Sequence, residues 1–253
     1  MTATDRNKEE QAFHDWQARQ RAATFAQNPQ RFVFDNDDYL DHETWIRPGF
    51  RQLGDLAGRQ ILDFGCGHGM AAVVMARCGA CVTAFDLSSA YIEEARRRSY
   101  ANQVEIRFLV ADGNRLPFAD RTFDRIWGNA VLHHLDLHWV ANELCRVLRP
   151  GGWAVFCEPW GENPFLNFAR RRMSYPEKAR TPKEEPLRLR EIRQLRNVFG
   201  FVEVQGFQLL AMARRIPLTK FAVARLESWD RKLLVGVPAL QRFCRYVVVT
   251  LRP

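Results

Sequence analysis

The sequence predicts an α/β fold, a mostly parallel β-sheet covered by helices on both faces. Two observations carry this expectation. Apolar strand-like runs at Ile61–Phe64, Cys81–Asp86, Glu105–Val110, Phe123–Trp127 and Trp153–Glu158 alternate with helix-like runs at Met70–Cys78, Ser89–Ser99 and Leu137–Leu148. Strands buried on both faces read as continuous apolar stretches, and parallel neighbours need helical crossovers between them. The first strand also runs into a turn with three glycines at alternate positions, Gly65, Gly67 and Gly69, and a helix follows at once. Strand, glycine turn and helix N-terminus together make a site for a nucleotide-type ligand, because glycine turns sharply and lets other atoms approach the backbone.

The elements follow in order along the chain. Residues 8–28 read as a polar, weakly amphipathic helix that ends near Asn28-Pro29, since proline disfavours helix in the residue before it. Residues 30–57 mix aromatics with acids and read as a short helical lead-in. Ser88 or Ser89 is a candidate N-cap for the second core helix. Arg149-Pro150-Gly151-Gly152 reads as a helix stop and a tight turn into the fifth strand. Beyond Glu158 prolines and arginines punctuate the pattern. A helix is expected near Leu166–Met173, then a proline-rich loop, a helix at Arg190–Phe199 and a strand at Phe201–Phe207. Residues 211–240 read as a basic amphipathic helical piece, and Arg245–Leu251 as a strand that completes the sheet. The domain reading is therefore an N-terminal helical cap over 1–57 and a core over 58–253, with helical insertions at about 159–189 and 208–243.

Bulk properties narrow the class. With 253 residues and 47% hydrophobic composition the chain can bury one large core. It has no apolar run near the roughly 20 residues that span a bilayer, and a polar start without a secretory pattern, so a cytoplasmic location is expected. Six scattered cysteines lack a second Cys/His pair at zinc-site spacing, and they read as reduced, buried thiols with no metal site. Residues 1–164 carry 18 Lys/Arg against 22 Asp/Glu, whereas residues 165–253 carry 19 against 7. A basic C-terminal third can be a solvated surface, or can meet nucleic acid, an anionic membrane or an acidic substrate.

The chemistry-bearing residues cluster after strand ends. A dinucleotide fingerprint wants its third glycine where this chain has Met70, which counts against NAD or FAD. Asp86 ends the second strand and can accept both hydrogen bonds of a ribose diol, or cap the helix that follows. Asp112 can accept from an exocyclic amine and the Gly113 N–H can donate to a ring nitrogen, with Leu116-Pro117-Phe118 beside them. The fourth strand, Phe123-Asp124-Arg125-Ile126-Trp127, runs into Gly128-Asn129-Ala130-Val131-Leu132-His133-His134.

In this order and spacing the pieces D-x-G-C-G-x-G, D-x-S, D-x-x-x-L-P-F, F-D and L-R-P-G-G resemble the class I S-adenosylmethionine-dependent methyltransferases, and more narrowly their small-molecule group. The resemblance covers about residues 55–158, with family-like ends at 190–207 and 245–251. It implies a Rossmann-like, doubly wound, seven-stranded sheet whose last strand is antiparallel. It implies that Asp63 and the turn Gly65, Cys66 and Gly67 hold the amino acid end of S-adenosylmethionine. Asp86 would take the ribose hydroxyls, with Leu87 packing on the adenine. Asp112 and Gly113 would hold the adenine edge, and Asn129 and the backbone near Val131 would lie beside the methionine moiety. Related sugar and natural-product O-methyltransferases carry a His-His pair here, which makes His134 or His133 a candidate base or else a pair that only shapes the pocket. Glu158 is a candidate to orient a histidine or bind substrate.

The expected reaction is in-line methyl transfer to a small-molecule acceptor, with O-methylation of a sugar or natural-product hydroxyl favoured. His68 is expected at the surface. Arg47 could bind an acidic group, and Trp16, Tyr39, Trp45, Trp160 and Trp229 could wall the acceptor site or sit in the core. Nucleic acid is disfavoured as acceptor, because GNAVLHH replaces the N/D-P-P-Y/F motif that stacks a flipped base. A lipid or isoprenoid acceptor at a membrane surface is the other alternative, through the basic amphipathic C-terminal region. A non-catalytic cofactor-binding protein is a third. A monomer or a homodimer is compatible with the sequence.

Overall fold

The computed structural model describes residues 3–26, 29–172, 185–215 and 220–253. Seven strands form one sheet: β1 (Gln60–Phe64), β2 (Cys81–Asp86), β3 (Arg107–Val110), β4 (Phe123–Asn129), β5 (Leu148–Pro159), β6 (Phe201–Phe207) and β7 (Tyr246–Arg252). Their order is β3-β2-β1-β4-β5-β7-β6. β1 to β5 run parallel, while β7 is antiparallel to both β5 and β6. This is the seven-stranded sheet with an antiparallel last strand that the sequence implies.

Alternation along each strand builds two cores. Leu62, Phe64, Ile126 and Phe156 face one side of the sheet, and α6 (Leu137–Val147) and α8 (Leu189–Arg196) cover it with Leu144, Ile192 and Leu195. Ile61, Trp127, Val155 and Val248 face the other side. There α3 (Ile46–Gln52), α4 (Met70–Arg77) and α5 (Ser89–Ala101) supply Ile46, Phe50, Val74, Met75 and Ile92. Successive strand residues point to opposite faces, so an apolar run such as QILDF can feed both layers at once. Gly69 begins α4 at φ +80°, and a Cβ there would stand 2.7 Å from that of Ala95. Glycine thus lets α4 and α5 pack close behind the turn.

The crossover direction reverses between β1 and β4, and their carboxyl ends open a crevice there. A cap lies over it. Helix α1 (Ala3–Ala26) packs along α5, tied by Arg21 to Glu94 at 3.0 Å and by Ser88, whose hydroxyl donates to Asp15. The lead-in forms a short 3₁₀ turn at Pro29–Phe32, then α2 (Asn36–Leu40) and α3. Trp45 stacks on Tyr246 at 3.6 Å between ring centroids, which fastens this lead-in to β7.

Several expected boundaries move. Arg149-Pro150-Gly151-Gly152 is not a turn before the strand. β5 already pairs at Leu148 with Phe123, and its register jumps to Trp153 opposite Arg125, so these four residues bulge within the strand. Gly151 takes φ +75°, and a Cβ on Gly152 would stand 2.9 Å from the Asp124 carbonyl oxygen. The bulge therefore needs both glycines. The expected helix near 166–173 is α7 (Pro164–Arg172); Met173 and the loop prolines Pro176 and Pro182 lie outside the described residues. The 211–240 piece divides into a 3₁₀ turn at Ala211–Arg215, α9 (Lys220–Gly236) and a second 3₁₀ turn at Pro238–Phe243. No helix among the described residues is long and apolar enough to cross a membrane.

Candidate active site

Two cavities meet at the glycine turn. The first, about 230 Å³, lies over the carboxyl ends of β1 and β2 and is lined by Asp86, Leu87, Asp112, Gly113, Val131 and His134. The second, about 490 Å³, opens beside Asp63, Cys66, Tyr39, His42 and Trp127. Gly65, Gly67, His68 and Asn129 border both. All ten candidate cofactor residues of the sequence therefore line one of these two spaces: Asp63, Gly65, Cys66, Gly67, Asp86, Leu87, Asp112, Gly113, Asn129 and Val131.

The backbone here is shaped for close approach. Gly65 takes φ +68°, and a Cβ on it would stand 2.5 Å from Val131 Cγ2. Gly67 takes φ +49° with open space where its Cβ would be. Asp86 braces the turn: its Oδ2 accepts from Gly67 N at 2.8 Å and its Oδ1 from Ser88 N at 2.9 Å. A carboxylate oxygen has more than one lone pair, so both oxygens can still accept from a ligand diol. Asp112 accepts from the backbone and side chain of Asn114 at 2.9 and 2.8 Å.

Two acceptors stand out at the second cavity. Asp63 Oδ2 and Asn129 Oδ1 are buried and make no hydrogen bond in this structure. Buried acceptors without donors are costly, and a ligand that brought donors here would satisfy both. Burial, with the Asp86 charge added, pushes the Asp63 carboxyl up to about 8. Burial likewise raises Asp86, against the bonds from Ser88 and Gly67. A ligand ammonium over Asp63 needs the carboxylate, so binding below pH 8 must expel a proton. Ligand affinity is then expected to fall by up to about tenfold per pH unit between pH 8 and 6. Calorimetric dissociation constants across pH 6–9 test this, with Asp63→Asn expected to flatten the profile; a flat profile in the parent protein refutes it. The sign for the unliganded fold is opposite. A carboxyl raised on folding favours the folded state most below the ordinary value near 4, and that contribution is lost as pH rises through about 8.

The candidate catalytic residues separate. His134 lines the first cavity. His133 and Glu158 do not line either space: the Glu158 side chain is fully buried, and its Oε2 lies 2.6 Å from His133 Nδ1. Its Oε1 accepts from Val131 N and Leu132 N at 3.0 and 2.8 Å. Both oxygens are thus spent on holding the 3₁₀ turn Leu132–His134, whose first N–H groups lack intrahelical partners. The contact with His133 is the geometry that an orienting role for Glu158 would use, and the pair lies behind the cavity wall, with Glu158 lining neither space.

Other expectations are corrected too. His68 is half-buried, because Arg98 on α5 donates to its carbonyl while α1 closes above it. Burial, then Arg21 and Arg98, hold its imidazole well below the usual range. Arg47 is engaged by Asp41 and Asp37 at 2.5 and 2.6 Å and lines neither cavity. Of the candidate wall aromatics, Tyr39 lines the second cavity, Trp45 and Trp160 are core, and Trp16 and Trp229 are exposed.

The sequence reading expects a helix here but singles out none of its cavity-lining residues. Glu10, His14 and Gln17 roof the first cavity and Arg21 borders the second. These four positions are spaced by four, three and four residues, one stripe on a helix, so the signal was present as a polar face. On an otherwise polar helix such a stripe has no contrast.

Comparison with known proteins agrees with this geometry. Residues 62–156 match the family described as "Methyltransferase domain". The chain is 41% identical over 135 residues to the 27-O-demethylrifamycin SV methyltransferase of Amycolatopsis mediterranei, covering 51% of this chain and 50% of that protein. It is 32% identical over 182 residues to the fatty-acid O-methyltransferase of Mycolicibacterium smegmatis, covering 70% and 60%. The chain spans about half the length of the first of these relatives. A solved protein of Pyrococcus horikoshii OT3 shares the fold with a TM-score of 0.60 at 17% identity, covering 91% of this chain and 98% of that one.

Proposed function

We propose that this chain, whose residues 62–156 match the methyltransferase-domain family, transfers the methyl group of S-adenosylmethionine to a hydroxyl of a small-molecule acceptor. The observation that carries the reading is the pair of buried acceptors without donors, Asp63 Oδ2 and Asn129 Oδ1, beside the glycine turn. A methionine ammonium supplies what they lack, and the Asp86 carboxylate stands one strand away for a ribose diol. The cofactor brings a methyl group already activated on a sulfonium, so the protein's work is orientation and exclusion of water. Gly65 and Gly67 admit the amino acid end, Leu87 and Val131 flank the first cavity, and Glu10, His14 and Gln17 of α1 line its roof. His134 is the side chain placed to take the acceptor's proton, with His133 and Glu158 fixing the turn that carries it.

By their names the similar proteins methylate 27-O-demethylrifamycin SV and a fatty acid, which supports a hydroxyl- or carboxyl-bearing acceptor. A lipid-like acceptor is favoured by a second observation. Phe165, Phe168, Phe221, Trp229 and Val235 are exposed on α7 and α9, with Arg225 over both Phe221 and Trp229. Purified protein with methyl-labelled S-adenosylmethionine, presented with polyketide alcohols, fatty acids in anionic vesicles and RNA, tests both readings. Label is expected in the first class. Label confined to vesicles selects the lipid reading, and label in RNA or nowhere, with the cofactor bound, overturns the hydroxyl proposal.

A further inference from the structure

We propose that Glu10, His14 and His134 form a binding site for a divalent transition-metal ion of the zinc class at the roof of the first cavity. Glu10 Oε2 lies 3.2 Å from His134 Nδ1 and 3.6 Å from His14 Nε2. One donor atom from each of the three residues falls within 4.8 Å of the others. Ligand atoms about 2.0–2.2 Å from a tetrahedral ion stand roughly 3.3–3.5 Å apart. The two measured edges bracket that spacing. Two imidazoles and a carboxylate are the donor set of three-ligand zinc sites, which keep a fourth position open.

The local contacts agree. His134 Nδ1 is buried and makes no hydrogen bond, although Glu10 Oε2 is only 3.2 Å away. The two atoms approach without the alignment a shared proton needs, as ligands converging on one ion do. The His14 and His134 rings meet at 77° with centroids 5.7 Å apart, so each is free to aim a nitrogen inward. Glu10 and His14 are one helical turn apart, hence on one face of α1, and His134 is held by its backbone bond to Val131. No local spacing hints at this cluster, since its third member is separated from the first two by more than a hundred residues.

The ion's use rests on the hydroxyl-transfer reading: with the ion bound His134 is a ligand and not the base, and an acceptor oxygen in the open position would lose its proton more readily, to solvent. Its binding does not rest on that reading. The test is titration of the purified full chain with Co²⁺, without cofactor or acceptor. The visible bands of four-coordinate Co²⁺ should appear at one equivalent, vanish on adding Zn²⁺, and be lost in His14→Ala and in the isosteric Glu10→Gln. Thermal melts of both variants check that each is folded. No bands with folded parent protein, or bands unchanged in both variants, overturn the proposal. If Co²⁺ binds while S-adenosylmethionine does not, the methyl-transfer reading falls and the metal site stands. The converse result removes the metal site alone.

Discussion

Asp86→Ala is expected to weaken cofactor binding about 100-fold and to leave a folded protein. The carboxylate holds the turn through Gly67 N and the next helix through Ser88 N, and it is the group at this strand end that can take a ribose diol. Hydrogen bonds to a charged acceptor contribute about 1.5–3 kcal/mol each. Losing the diol bonds and loosening Gly67 together account for about 3 kcal/mol, or roughly two powers of ten in affinity. Calorimetry with S-adenosylhomocysteine reads the change directly. Asp86→Asn, which keeps the volume and one acceptor oxygen, should fall between the two. An unchanged dissociation constant in folded Asp86→Ala would show that the ribose lies elsewhere.

His134→Ala carries the other large effect, a loss of about 10²–10⁴ in kcat with cofactor affinity nearly retained. His134 is the histidine of the pair that lines the first cavity, and on the proposed reaction removing its imidazole would leave the acceptor proton without a receiver. His133→Ala should behave differently. It strips the buried Glu158 of its 2.6 Å partner, and breaking such a pair costs about 3–5 kcal/mol. Its main readout is therefore a lowered melting temperature. Single-turnover rates and thermal melts on both variants separate the roles, and undiminished turnover in His134→Ala removes it from the chemistry.

Local signatures made the core of this site legible from sequence. ILDFGCGHGM announces a strand, a turn and a helix within ten residues, and CVTAFD ends on the acid that braces the turn. Ser88 as a cap followed from the same local logic and is observed, its Oγ accepting from Tyr91 N. What escaped depends on contacts between distant segments. Glu158 reads as a candidate to orient a histidine, yet nothing near it says that its other oxygen would take two backbone N–H groups. The exposure expected for His68 failed because Arg98 and α1 arrive from elsewhere in the chain. The bulge at 149–152 escaped because Pro-Gly-Gly signals a break in either setting, and only the register against β4 shows that pairing resumes on both sides of it.

The buried charge cluster between α1 and α5 has a further consequence. Glu94 receives Arg21 from α1 and Arg98 from its own helix, while Arg98 also donates to the His68 carbonyl inside the glycine turn. The roof and the turn thus share one carboxylate. Free-energy coupling of this kind is reciprocal. A ligand that steadies the turn steadies α1 by the same amount, and whatever pries α1 from α5 loosens the turn in equal measure.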